Sequence, residues 1–238
     1  DLLKFIKNLD DYNLECYDID SDFYLATKRD TLNNPPSYNN KYIITNPPYL
    51  ARNKSKYKDL YDKYNTNDLY KIFIKQIIKD KCIGGILIIP LNFLTSIRKS
   101  DIELRKDFLN IYSILQLNIF EEKVFVDTSY TVISFQFQLK NDNKFKNIPT
   151  TIYPSKNNIN LHFNHKNNYI IGGKLYKLPQ NNKIIVDRLT KLNYEQLKEY
   201  ITNIHVKCID DNKNSIIQCS YDENKNYLDN TPKLSNRT

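Results

Sequence analysis

Methionine and tryptophan are absent from the 238 residues, and glycine occurs four times, as the pairs Gly84-Gly85 and Gly172-Gly173. A glycine-rich loop that cradles a phosphate or a cofactor is therefore excluded before residue 84. A chain that opens on Asp1 and holds no methionine is expected to be a segment or a processed piece of a longer product. The cysteines, at 16, 82, 208 and 219, form no C-x-x-C pair, which argues against a disulfide framework or a zinc knuckle. The histidines of HFNH (162–165) have no third ligand near them, so they read as surface loop residues and no metal is expected. No apolar run approaches the roughly 20 residues needed to cross a bilayer, and no secretion signal opens the chain. The expectation is a globular protein without a membrane partner, in a reducing intracellular compartment such as the cytoplasm, a nucleoid or a viral factory.

Charge and aromatic residues are plentiful instead. The net charge is +8, with a sequence pI near 9.1, and there are 19 tyrosines and 11 phenylalanines. A basic balance favours a polyanionic partner, although heavy use of Lys, Asn, Ile and Tyr also follows from AT-rich coding.

Along the chain, YNLECYDID (12–20) reads as a strand ending on acids, and SDFYLATKR as a helical turn or two capped by Ser21. TLNNPPSYNN is turn chemistry, and KYIIT is a strand. From 67 to 81, Leu69, Ile72, Phe73, Gln76, Ile77 and Asp80 recur at helical spacing, with Asn67 or Asp68 as cap. GGILIIP (84–90) is too continuously apolar for a solvent face and suits a central strand of a parallel sheet. SDIELRKDFLN reads as a helix capped by Ser100, and IYSILQLNIF and SYTVISFQFQL as strands with no helix between them. The pattern describes an α/β doubly wound sheet ending in an antiparallel edge. Beyond Lys140 comes a polar, proline-bearing stretch. After it, NYIIGGKLYKL, KIIVDRLTKLNYEQLKEYI and SIIQCSYDE indicate a small mixed unit of strands and one helix.

The strand KYIIT stops on Asn46-Pro47-Pro48-Tyr49, where ligands bind in open α/β sheets. Two prolines stiffen the backbone, and the Asn46 side-chain oxygen and the Pro47 carbonyl form a rigid pair of acceptors. Such a pair suits a planar amino group, because accepting both hydrogens favours the pyramidal, nucleophilic form. Tyr49 adds a face on which a base can stack. The same letters also make a plain stiffened turn, as NPPS at 34–37 does without a preceding strand or an aromatic.

Over residues 12 to about 140 the chain resembles the amino-methylating, adenine-specific DNA methyltransferases of type II restriction-modification systems. NPPY matches their catalytic signature, and DLYKIFIKQ, GGILIIPLNFL and ELRKDFL resemble the segments that follow it. The resemblance implies a Rossmann-like S-adenosylmethionine-dependent methyltransferase sheet, partial and lacking its first strand, with an antiparallel last strand. YDID would place Asp18, or Asp20, on the ribose hydroxyls of S-adenosylmethionine. RDTL would place Asp30 on the cofactor's adenine amine, with Thr31 where the family has Phe. Asn46 would border the cofactor as well as the base. EKVFVDTSYTVISFQF would place Phe125, with Tyr130 as fallback, across a flipped adenine from Tyr49. Arg52, Lys54, Lys56 and Lys58, in the loop after the motif, would neutralise the phosphates of double-stranded DNA; a solvated Lys-rich loop reads the same way.

The resemblance divides the chain into a catalytic domain truncated at its amino end (1–141), a linker (142–160) and a partial target-recognition or accessory domain (161–238). The family's glycine-containing cofactor loop is missing, so the chain alone is expected to bind S-adenosylmethionine poorly. Two other readings stay open: a protein glutamine methyltransferase, which shares NPPY but usually ends soon after its last strand, and a non-catalytic DNA-binding remnant of a split or decayed enzyme.

Overall fold

The computed structural model describes residues 8, 11–20, 24–126, 130–140, 147–172, 187–188, 192–208 and 215–220. Strands β1 (Cys16–Asp18) and β2 (Ala26–Lys28) pair in parallel as a sheet of their own. The helical turns expected over SDFYLATKR are thus corrected at Ala26–Lys28, where pairing with β1 supplies hydrogen bonds that one or two isolated helical turns cannot sustain. Ser21, their expected cap, lies outside the described residues.

The principal sheet begins with β3 (Tyr42–Thr45), which runs into the NPPY motif. A 3₁₀ turn (Arg52–Lys54), α1 (Asp59–Lys63) and α2 (Leu69–Asp80) lead to β4 (Gly84–Pro90), which pairs parallel with β3. The pairing is close: a Cβ on Gly85 would stand 1.9 Å from the Ile43 carbonyl oxygen. Next come α3 (Asn92–Thr95), α4 (Lys99–Ile111), β5 (Tyr112–Phe120) and β6 (Val132–Leu139). Ser100 falls inside α4, so it is not the expected cap. Ser96 takes part of that role instead, its hydroxyl accepting from the Arg98 amide at 3.3 Å and donating to Asp101 at 2.7 Å.

The strand order is β3-β4-β6-β5, continued by β7 (Ile148–Tyr153) and β8 (Asn157–Leu161). β6 is antiparallel to both β4 and β5. The mixed α/β class with an antiparallel strand is borne out, but that strand lies inside the sheet and not at its edge. β4 accordingly has one parallel and one antiparallel neighbour. The segment expected to be a linker contributes β7 and β8, with β7 parallel to β5, so residues 148–161 belong to the sheet.

One sheet face is closed. Ile43, Leu87, Ile89, Phe135 and Phe137 are buried on it, together with Leu104, Phe108 and Leu109 of α4. α2 is buried almost all round, Tyr70, Lys71 and Ile74 included, so its burial exceeds the single stripe that the spacing predicts. The other face carries Tyr42, Ile44 and Ile86, 68%, 44% and 39% exposed, which corrects the expectation that GGILIIP has no solvent face. Farther along, Asn168 and Tyr169 adopt positive φ, so NYIIG turns where a strand was expected; GKLYKL lies outside the described residues. β9 (Asp187–Arg188), α5 (Tyr194–Leu197), β10 (Ile201–Cys208) and β11 (Ser215–Ser220) follow, and the three strands form an antiparallel sheet ordered β10-β11-β9.

Candidate active site

At the exit of β3 the chain leaves Asn46 exposed, buries Pro47, exposes Pro48 and half-buries Tyr49. The Tyr49 hydroxyl has two oxygens within reach, Asn46 Oδ1 at 2.5 Å and the Ile88 carbonyl at 2.7 Å. One hydroxyl hydrogen cannot serve both. Turning the Asn46 amide over lets its Nδ2 donate to the tyrosine oxygen, lets the tyrosine donate to Ile88, and directs Oδ1 away from the pair. Burial, with the Asp68 carboxylate second, pushes the Tyr49 phenol well above its ordinary range, so it stays a donor at neutral pH.

Three rings meet Tyr49 edge-on: Tyr70 at 6.2 Å, Phe125 at 6.3 Å and Tyr130 at 6.5 Å between centroids. The structure therefore brings Phe125 and Tyr130, separate in sequence from NPPY, to the motif. Stitches fix the loop that follows. The Leu69 amide donates to Leu50 O at 3.2 Å, the Arg52 amide to Asn67 O at 2.9 Å, and Ala51 forms an antiparallel bridge with Asp68. The Tyr61 hydroxyl donates to Leu50 O at 3.0 Å.

The four expected phosphate contacts divide. Lys54, Lys56 and Lys58 are exposed, whereas Arg52 is paired with Asp62 at 2.9 Å. Asp18, exposed at the end of β1, accepts the Asp20 amide at 3.0 Å. Asp30 caps its own turn, accepting from the amides of Leu32 and Asn33 and from the Asn33 side chain at 2.6 Å. Burial works against its ionised form, but these hydrogen bonds hold the carboxyl below its usual range. Among the described residues, the Asp18 and Asp30 carboxylates accept within their own turns, the former from Asp20, and not from the NPPY residues.

A polar layer beside the motif was not legible from the sequence. Lys71 and Asp101, 7% and 5% exposed, pair at 2.5 Å between α2 and α4. Burial lowers the Lys71 pKa, and Asp101 opposes that. Burial also lifts the Asp68 carboxyl to about 6, against Lys71 and nearby backbone amides. Arg105, fully buried, donates to the carbonyls of Phe93, Ser96 and Asn168 at 2.9, 3.1 and 3.0 Å. Its pKa falls to about 10 through burial, with Asp101 opposing. The available signal was that Asp101 and Arg105 stand in register with Leu104, Phe108 and Leu109 on the buried stripe of α4.

Among curated proteins none matches the chain. Solved structures similar to it include one of the type I restriction-modification system (17% identity, TM-score 0.44, covering 54% of this chain and 27% of that one). A modification subunit attributed to a type I restriction enzyme of Vibrio vulnificus YJ016 has 12% identity and a TM-score of 0.42, covering 84% and 42%. The type IIL restriction-modification enzyme MmeI in complex with DNA has 13% identity and a TM-score of 0.38, covering 67% and 25%. The chain thus spans less than half the length of each. The Eco57I restriction-modification methylase model matches residues 6–125, just over half of the chain and the part that holds β1 to β5, the NPPY motif and Phe125. The chain belongs to the Eco57I restriction-modification methylase family.

Proposed function

We propose that this chain handles the target base in a site-specific DNA methyltransferase that methylates the exocyclic amine of an adenine flipped out of double-stranded DNA. The observation that carries the reading is Asn46, exposed at the end of β3 and held by a tyrosine whose ring meets Phe125 and Tyr130. With its amide turned outward, Asn46 Oδ1 and the Pro47 carbonyl accept the two amine hydrogens and draw the nitrogen lone pair out of conjugation with the ring. Water reaches exposed Asn46 and takes the proton that the nitrogen loses.

Tyr49 and Phe125 are 65° from parallel at 6.3 Å. A base between parallel rings needs roughly 7 Å, so Phe125 opens the slot by turning its face and moving outward slightly. Tyr130, edge-on at 6.5 Å, backs the same ring.

S-adenosylmethionine supplies the methyl group from its sulfonium. The acids present fit its ribose and adenine ends: Asp18 is an exposed acceptor at a strand end, and Asp30 presents an ionised carboxylate, which suits hydroxyl and amine donors. Asp20, beside Asp18, is the alternative ribose acceptor. Lys54, Lys56 and Lys58 take the DNA phosphates.

The test gives the chain S-adenosylmethionine carrying a labelled methyl group at saturating concentration, which offsets the weak cofactor binding expected without a glycine-containing loop, and genomic DNA, which offers every short sequence, followed by nucleoside analysis. Label is expected in N6-methyladenine, and Asn46→Ala is expected to lower the rate by about 100-fold or more. Label in cytosine, or in a glutamine of added protein and not in DNA, would sink the reading.

A further inference from the structure

Beside Tyr49 lies a cavity of about 550 Å³ that the reading above leaves unused. Its rim is cationic: Arg52 and Lys54 from the loop after NPPY, and Arg98 from the turn before α4. Its floor is formed by Asp68, Tyr70 and the Lys71–Asp101 pair. Among the described residues, two floor atoms have no hydrogen-bond partner, Asp68 Oδ1 and the Tyr70 hydroxyl, although these residues are 6% and 2% exposed. Their neighbours are engaged. Lys71 donates to Asn67 Oδ1 at 2.8 Å and to Asp101, which also accepts from Ser96. A buried acceptor and a buried hydroxyl left together without partners mark a place where a ligand presents a donor beside an acceptor.

The chemistry at the two ends narrows that ligand. A cationic rim selects an anion, and the floor selects a neutral group with an amino hydrogen next to a lone pair. A volume of this size suits a small organic molecule rather than an ion. A nucleotide has all three properties: phosphate, length and a base edge on which N–H adjoins a nitrogen or oxygen acceptor. The cavity is also joined to the motif. Asp68 bridges Ala51, and the Tyr70 ring stands edge-on to Tyr49 at 6.2 Å, forming the wall between the two places.

We propose that this cavity is a second nucleotide subsite. It holds a nucleotide of the DNA strand near the extruded adenine, with an N–H edge of its base on Asp68 and Tyr70 and its phosphate at Lys54 and Arg98. The proposal rests on the reading of the chain as a DNA methyltransferase, and it adds a second base contact within the catalytic sheet.

The test is binding of 5′-mononucleotides to the whole chain, followed by saturation-transfer NMR, since this requires neither a recognition sequence nor methyl transfer. A background of Asn46→Ala with Phe125→Ala disables the other base site by taking away an amine acceptor and one of its two stacking faces. In it, dCMP and dAMP are expected to bind, and 2-deoxyribose 5-phosphate, which keeps the phosphate but has no base, to bind about tenfold more weakly. Tyr70→Phe and Asp68→Asn, both nearly isosteric, are each expected to weaken dCMP by about tenfold. Arg98→Ala is expected to weaken dCMP while leaving the preference over 2-deoxyribose 5-phosphate intact. Equal binding of 2-deoxyribose 5-phosphate, indifference to Tyr70→Phe and Asp68→Asn, full displacement by inorganic phosphate, or no binding of any mononucleotide would each overturn the subsite. If any of these occurs while label still enters N6-methyladenine in DNA, the subsite falls and the methyltransferase reading stands. Absence of label from DNA removes that reading separately.

Discussion

Asp68 illustrates how one residue's environment becomes a measurable property. The residue is 6% exposed, one of its carboxyl oxygens has no partner among the described residues, and burial lifts the carboxyl to about 6. In the unfolded chain the same group titrates near 3.9, so the folded state binds the extra proton between roughly pH 4 and 6. Stability from this group is therefore fully present below the unfolded value and is lost as pH rises through the folded one, by about 3 kcal/mol. Asp68→Asn removes the titration. The difference in unfolding free energy between variant and wild type is expected to shift in the variant's favour by up to about 3 kcal/mol from pH 4 to pH 7, as read by urea denaturation at each pH. A constant difference would mean that Asp68 ionises as freely folded as unfolded. At this scale the sequence was legible where a role depends on a local string. Asn46-Pro47-Pro48-Tyr49 could be read because prolines and a strand end define the geometry over four positions. Asp68 and Tyr70 could not, since the cavity they share is completed by residues about 20 to 60 positions away, among them Asn92, Arg98, Asp101 and Tyr130.

Between elements, the Lys71–Asp101 pair crosslinks α2 and α4 over thirty positions of sequence, with both side chains buried. Removing one partner strands a charge away from water, which costs about 3–5 kcal/mol, whereas replacing both with apolar residues of similar size leaves no charge to desolvate. Lys71→Met and Asp101→Leu are each expected to destabilise by about 3 kcal/mol or more, and the double variant by clearly less than their sum. A double-mutant cycle in urea decides it: additive losses would show that the two charges are separately solvated. The same scale explains what the sequence hid about the fold. β4, α2 and α4 were readable because an apolar run or a helical spacing identifies each by itself. The insertion of β6 between β4 and β5, and the addition of β7 and β8 beyond them, were not readable, because strand order depends on long-range pairing that no local period encodes. Ala26–Lys28 misled for the same reason: three residues carry too little local preference to resist the hydrogen bonds offered by β1.

For the whole molecule, the net charge of +8 is informative only together with its placement. Lys54, Lys56 and Lys58 are exposed on the loop that leaves NPPY, and Tyr57 between them is 85% exposed, braced by the Ser55 hydroxyl donating to its carbonyl at 2.7 Å. Arg52 belongs to the same loop but meets Asp62 at 2.9 Å, so its charge is already partly compensated before DNA arrives. Counterion release separates these cases, because each phosphate neutralised steepens the dependence of log K on log salt by roughly 0.9 on duplex DNA. Replacing the three lysines together with alanine is expected to flatten that slope by between about 2 and 3, while Arg52→Ala changes it by less than about 0.5. Fluorescence anisotropy of a labelled duplex across a salt series measures both. If the triple variant kept the wild-type slope, the loop would be a solvated face and the excess of basic residues a matter of composition. If Arg52→Ala flattened the slope as much as one lysine does, the pair with Asp62 would have to break on binding, and the loop would rearrange when it meets DNA.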